Sequence, residues 1–127
     1  MIHFFKKSIS PLFSVIIITI GLASCKHKTD FNSLTEVSYS RDISPIISSN
    51  CAYSGCHGDS NFVHFSLVTY EGLANGHIVP GSPEKSRLYQ NLITYGDDIM
   101  PKKPYSELTE KQIQLIYVWI GQGVKNN

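Results

Sequence analysis

The chain has 127 residues, 42% of them hydrophobic, and its 11 Lys and Arg against 10 Asp and Glu give a formal net charge of +1. This length favours one domain, and the balanced charge leaves no basic patch of the kind that binds nucleic acid. The sequence also lacks the nucleophile–base, phosphate-loop and paired-carboxylate motifs of common enzymes, so it does not favour an enzyme.

The N-terminal residues have the pattern of a secretory signal. Lys6 and Lys7 precede an apolar run, Leu12 to Leu22, that is too short for a transmembrane helix. The run ends in Leu-Ala-Ser-Cys, which resembles the lipobox of bacterial lipoproteins. The resemblance implies cleavage before Cys25 and lipid on that residue. We therefore predict a lipoprotein signal peptide over residues 1–24 and a membrane anchor at Cys25 that faces the periplasm. An ordinary signal peptide is the alternative.

The segment after the predicted cleavage site is polar. Residues 25–38 are predicted to form a flexible tether, which places the folded domain at residues 39–127. Cleavage removes two lysines and no acidic residue, so 9 Lys and Arg remain against 10 Asp and Glu. Cys51 and Cys56 remain as a pair, and outside the cytoplasm such a pair is normally oxidised or otherwise committed.

A first helix is predicted to run into the first cysteine of this pair. Pro45 is tolerated only in the first turn of a helix, which favours Asp42 as the N-cap. The helix would end near Asn50. Its apolar face is formed by three isoleucines with the i, i+3, i+4 spacing of a helix: Ile43, Ile46 and Ile47.

The stretch Cys51-Ala52-Tyr53-Ser54-Gly55-Cys56-His57 has the residue order of a c-type haem attachment site. In such a site two thiols add to the haem vinyl groups and the histidine binds the iron. The usual spacing has two residues between the cysteines, whereas this chain has four. Positive φ at Gly55 would let the longer loop bulge while both sulfur atoms reach the vinyl carbons. The second nitrogen of His57 needs an acceptor, for which we expect the carbonyl of Pro80 or a neighbour.

Few regular signals occur in residues 58–80. Thr69 is predicted to cap a short helical turn that ends near Leu73. A segment of this length without regular structure is expected in a small domain only where the chain wraps around a bound group. A haem at the centre of the domain would account for it.

A second helix is predicted to open at Ser82, which acts as the cap, with Pro83 at the first helical position. Gly96 is the natural stop for this helix. The following loop, residues 97–105, holds Met100. This methionine lies in a polar, proline-bounded loop and not on an apolar helix face, which favours an iron ligand over core filler.

The last helix is predicted to begin at Thr109, since Thr109-Glu110-Lys111-Gln112 has the sequence of a capping box. Gly121 ends the helix, and Trp119 within it is expected to pack in the core. Helices lie at both ends of the domain, with loops and short helices between them. The sequence therefore predicts an all-α fold in which the first helix crosses the last.

Five segments of the chain carry a resemblance to a known family: Asp42–Ile47, Cys56–Gly58, Val79–Tyr89, Met100-Pro101 and Trp119–Gly123. Over roughly residues 39 to 125 the chain resembles a single-haem cytochrome c, in particular the Planctomycete-type cytochrome c domains. The resemblance implies a cytochrome c-like fold, one covalent haem c and electron transfer with redox partner proteins. It also implies thioether bonds to Cys51 and Cys56, with His57 as the proximal iron ligand and Met100 as the distal one.

Several alternatives remain open from the sequence. The rivals of Met100 for the distal position are His64 and His77, although His77 is expected at the solvated surface. A haem-free lipoprotein closed by a Cys51–Cys56 disulfide is the second functional hypothesis. A metal site that uses Cys51, Cys56, His57 and one more ligand is the third, and the chain lacks the second ligand pair that a structural zinc site usually shows.

Overall fold

The computed structural model describes residues 29–61 and 65–127. The signal peptide, Cys25 and His64 lie outside these residues. Helices and turns, with no β-strand, make up the described part, which confirms the predicted all-α class. No helix in this part of the chain is long and apolar enough to cross a membrane. The α-helices are α1 (Ser44–Asn50), α2 (Tyr70–Ala74), α3 (Arg87–Ile93) and α4 (Glu110–Gly121).

The N-terminal helical segment begins with a π turn, Tyr39–Ile43, that leads directly into α1. Its cap is Ser38, whose hydroxyl accepts a hydrogen bond from the Arg41 amide at 3.3 Å. Asp42 lies inside the turn, and its carboxylate accepts from the Ser38 amide at 2.8 Å. The prediction of Asp42 as the N-cap is therefore wrong, because this side chain bonds backwards to the amide of the residue that caps the helix.

The core is built around Trp119, which is fully buried in α4 together with Ile116 and Ile120. The ring of Tyr39, in the π turn, lies 5.8 Å from the indole, and the ring of Tyr70 approaches it edge-on at 6.5 Å. The indole N–H donates to the carbonyl of Lys125 at 2.9 Å. The predicted packing of Trp119 in the core is confirmed, and the contact between the two ends of the domain runs through aromatic rings.

Helix α4 begins as predicted. The Thr109 hydroxyl accepts from the Gln112 amide at 3.3 Å, and the Gln112 side chain accepts from the Thr109 amide at 2.8 Å. These two reciprocal bonds form the capping box, which satisfies amides that the first helical turn leaves without partners. The helix ends at Gly121, again as predicted.

The helix predicted from Ser82 to Gly96 is divided into two elements. A 3₁₀ turn, Pro83–Lys85, is followed by Ser86 in extended conformation and then by α3. Ser86 is fully buried, and its hydroxyl accepts from the Val79 amide at 2.9 Å and donates to the Ser82 carbonyl at 3.0 Å. These bonds to residues before the 3₁₀ turn hold Ser86 out of the helix, so α3 starts later than the local pattern predicts.

The N-terminal strap, residues 31–37, lies along α4. The ring of Phe31 covers Gly121 so closely that a side chain at this position would collide with it. The side chain of Gln122 binds the strap through both of its polar atoms. Its Nε2 donates to the carbonyls of Phe31 at 3.2 Å and Thr35 at 3.0 Å, and its Oε1 accepts from the backbone amide of Val37 at 2.9 Å. Phe31 thus already contacts the domain, although it lies inside the segment predicted as a tether.

Candidate cofactor site

A cavity of about 800 Å³ lies between the cysteine loop, α3 and the segment that follows α3. Pockets of roughly 300 to 1,000 Å³ are the usual size for small-molecule and cofactor sites. Four side chains predicted as ligands from the sequence line this one cavity: Cys51, Cys56, His57 and Met100. The fold therefore brings together residues that are up to 49 positions apart in the chain, 51 to 100.

The walls of the cavity are mainly apolar. Leu67, Leu73 and Leu92 line it and are buried, with 5%, 0% and 6% of their surface exposed. The charged residues of the lining are all solvent-exposed, so they mark its opening: Arg87, Asp98 and Lys102. An apolar interior with two cations and one carboxylate at the opening suits a largely apolar group that carries charged substituents at one edge.

The longer cysteine spacing is absorbed by a tight turn. The Tyr53 carbonyl accepts from the Cys56 amide at 3.0 Å, and Gly55, at the third position of this turn, has φ +79°. Positive φ at that position is typical of a type II turn. Ser54 and Gly55 are exposed, so the additional residues project outwards while both cysteines line the cavity. The predicted bulge at Gly55 is confirmed.

The substitution Gly55→Ala should destabilise the fold by about 1–2 kcal/mol, the cost of a left-handed conformation for an L-residue. Nothing lies within 4 Å of the added methyl carbon, so backbone strain alone causes the loss. Urea unfolding measures it. Gly55→Asn is the matched control, because asparagine tolerates this conformation and should cost less. Equal losses in both variants would contradict the assignment to positive φ.

His57 is oriented by a backbone carbonyl. Its Nδ1 lies 3.0 Å from the carbonyl oxygen of Phe65. Because a carbonyl can only accept, Nδ1 must carry the proton, and the lone pair of Nε2 remains available to a metal. The predicted acceptor, Pro80 or a neighbour, is wrong. The chain after the cysteine loop returns sooner than expected and places Phe65 against the imidazole.

Cys51 and Cys56 are both free thiols. Burial, and secondarily the neighbouring Cys56, raises the pKa of the Cys51 thiol to about 11. Cys51 is therefore protonated at neutral pH and is a poor nucleophile in the folded protein. This environment does not favour a catalytic or redox-sensing role for Cys51.

Met100 is half-buried and is tied to α3. Its amide donates to the carbonyl of Asn91 at 2.8 Å, which fixes the start of the segment after α3. Pro101, directly after it, is buried and also lines the cavity. The thioether thus belongs to the cavity wall and not to the core around Trp119.

Two further aromatic side chains belong to the site: Phe65, which the sequence did not mark, and His77, which it marked as a rival of Met100. Phe65 stacks on His77 with ring centroids 3.9 Å apart, and its other neighbour is His57 at 4.7 Å. His77 is half-buried and lines the cavity, so the prediction of a solvated surface residue is wrong. Burial lowers the pKa of the His77 imidazole, and Arg87 and His57 lower it further. A neutral imidazole inside the cavity is a competent iron ligand, so His77 remains a rival of Met100.

Within the described ranges, no group of three His, Cys, Asp or Glu side chains is arranged to hold a metal ion. The site instead offers two thiols, one oriented imidazole and one thioether around an apolar space. No protein-family model, curated protein or solved structure matches this chain.

Proposed function

We propose that the protein is an extracytoplasmic c-type cytochrome with a cytochrome c-like fold, one covalent haem and a role in single-electron transfer. The observation that carries this proposal is the one cavity lined by Cys51, Cys56, His57 and Met100. These side chains are the donor set of a Met/His-ligated haem c. When bound, a haem supplies one-electron oxidation and reduction at its iron.

Each of these residues has a definite part in the proposal. The Cys51 and Cys56 thiols would form the thioether bonds, His57 would hold the iron through Nε2, and Met100 would hold it through sulfur. The fit is supported by the apolar walls and by the hydrogen bond from His57 to the Phe65 carbonyl. A carbonyl acceptor on the second nitrogen fixes the imidazole and makes it a more basic ligand.

The charges at the opening support the same assignment. Arg87 and Lys102 line the cavity with a single carboxylate, Asp98, between them in sequence. Guanidinium and ammonium groups at the edge of the cavity would bind the haem propionates through charge-assisted hydrogen bonds. Leu67, Leu73 and the other apolar wall residues would exclude water, which is one way that a protein adjusts a haem potential.

The proposal includes the place where the protein works. Cys25 lies outside the described residues, and we propose that it carries lipid and anchors the domain to a membrane on the periplasmic side. Redox partner proteins would dock at the open edge of the cavity. Complexes of this kind are small and short-lived, with less than about 1,200 Å² of buried surface.

A covalent haem assay tests the proposal. The full chain is expressed with c-type maturation factors, denatured, separated on a gel and stained for haem, and its pyridine haemochrome spectrum is taken. The wild-type band should stain, the double variant Cys51→Ser/Cys56→Ser should not, and Ser54→Ala, at an exposed position of the same loop, should stain like the wild type.

The result that overturns the proposal is an unstained wild-type band together with an oxidised Cys51–Cys56 pair by mass. The protein would then be a haem-free, disulfide-closed lipoprotein. Single serine variants add a finer test. Each should retain one thioether bond, and the unreacted vinyl group should shift the haemochrome spectrum in both.

A further inference from the structure

The cysteine loop and the segment after Met100 are joined by a pair of tyrosines. The rings of Tyr53 and Tyr105 stack with centroids 4.7 Å apart and an interplanar angle of 13°. Tyr53 lies between the two cysteines, and Tyr105 lies five residues after Met100. Both rings line the cavity. We call this contact the tyrosine clasp.

On the cysteine side the clasp is firmly held. The carbonyl of Tyr53 accepts from the amides of Cys56 at 3.0 Å and Gly58 at 2.9 Å. Its hydroxyl donates to the carbonyl of Ser49 in α1. Main chain and side chain of Tyr53 are thus fixed to the helix that precedes the cysteines and to the loop that carries them.

On the other side, little else holds the segment. Every residue from 102 to 107 is exposed. Among the hydrogen bonds of the described residues, the one that involves this segment is internal to it, from the Tyr105 amide to the Lys102 carbonyl at 3.1 Å. Tyr105 itself is 41% exposed, so most of its surface is nevertheless covered. The stack on Tyr53 is therefore a side-chain contact through which the segment rests on the cavity wall.

We propose that Tyr53 is a positioning residue for Met100, and that it acts through its stack on Tyr105 to hold the Met100 sulfur in the cavity. This inference rests on the proposed haem function. The segment from Met100 to Tyr105 is fixed at its start by the Asn91 carbonyl, 2.8 Å from the Met100 amide, and at its far end by the clasp. Loss of the clasp would loosen the segment beyond the buried Pro101, and the Met100 sulfur would then be held less firmly against an iron.

The test is a titration of the oxidised, haem-loaded protein with imidazole, which competes with Met100 for the iron. Tyr53→Ala should bind imidazole roughly 2- to 10-fold more tightly than the wild type, the range expected for the loss of one stacked aromatic pair. It should also weaken the sulfur-to-iron charge-transfer absorption. Tyr53→Phe retains the ring, so its imidazole affinity and its charge-transfer absorption should be those of the wild type. Tyr95→Ala, at a 92% exposed tyrosine, is the control and should change neither.

The partner residue gives an independent check. Tyr105→Ala should match Tyr53→Ala, and the double variant should show no further change, because the two single variants break the same contact. Imidazole affinity and absorption that stay at wild-type values in Tyr53→Ala would overturn the inference, as would additive effects in the double variant.

Hydrogen exchange separates failure of this inference from failure of the haem proposal. In the protein without haem, Tyr53→Ala should speed exchange of the Tyr105 amide and leave the amide of Ile116 in α4 unchanged. A wild-type protein that takes up no haem would refute the proposed function and the role for Met100 together. Unchanged exchange at Tyr105 would refute the clasp itself, whatever the haem content.

Discussion

Replacement of Met100 by alanine should lower the midpoint potential of the haem-loaded protein by on the order of 0.1 V, within the range of about 0.8 V that axial ligands span. A thioether stabilises ferrous iron, so its loss favours the oxidised form. The reason to expect this from Met100 is its place in the wall of the cavity that His57 also lines. Spectroelectrochemical titration gives the potential, and the sulfur-to-iron charge-transfer absorption of the oxidised protein should disappear.

The matched control is Ile99→Ala. Ile99 is half-buried like Met100 and adjacent to it, but it does not line the cavity. The midpoint potential of the haem-loaded Ile99→Ala variant should stay near that of the wild type. An unchanged potential in Met100→Ala would transfer the distal role to a histidine or leave the distal position empty. His77→Ala then decides between His77, which lines the cavity, and His64, which lies outside the described residues.

Trp119→Ala should destabilise the domain by about 3–5 kcal/mol, as large-to-small replacement of a core aromatic does. Trp119 is fully buried, the rings of Tyr39 and Tyr70 lie against it, and its N–H is bonded to the Lys125 carbonyl. Small domains are stable by only about 5–15 kcal/mol. The variant should therefore be partly unfolded under mild conditions.

Urea unfolding followed by far-ultraviolet circular dichroism measures this loss, at equal haem content in both proteins. Fluorescence is unsuitable, since Trp119 is the single tryptophan of the chain. The control is Tyr95→Ala, because Tyr95 is 92% exposed. Its free energy of unfolding should stay within about 0.5 kcal/mol of the wild-type value. A loss below about 1 kcal/mol in Trp119→Ala would show that the core does not depend on the indole.

The elements that the sequence predicted well are those fixed by local chemistry. The capping box at Thr109 and Gln112 joins residues three apart, so its pattern is complete in the sequence. The same holds for the cap of α2, where the Thr69 hydroxyl accepts from the Gly72 amide. Positive φ at Gly55 follows from a turn of four residues.

The failures have non-local causes. Ser86 leaves the helical conformation because its hydroxyl bonds to Val79, seven residues earlier in a loop without periodicity. Phe65 lies against His57 and His77 lies against Phe65, over 8 and 12 positions of the chain, because the chain folds back on itself. No local pattern fixes that path. The four residues that the motifs marked do line one cavity, whereas the aromatic surroundings of His57 were not predictable.

The strap held by Gln122 has a consequence for the order in which the domain can form. The bond from the Val37 amide to Gln122 joins residues 85 positions apart, and Trp119 contacts Tyr39 across a similar span. Contacts of such long sequence separation form late, because the intervening chain must first be closed into a loop.

A chain that emerges N-terminus first exposes its cysteines long before Trp119 and Gln122 arrive. The core lacks Ile116, Trp119 and Ile120 until α4 is present. In the folded domain Cys51 is largely buried, and burial raises the pKa of its thiol to about 11. Before α4 is present, this thiol is accessible to solvent. The cysteine thiols would thus be accessible for the proposed haem attachment before the domain has folded.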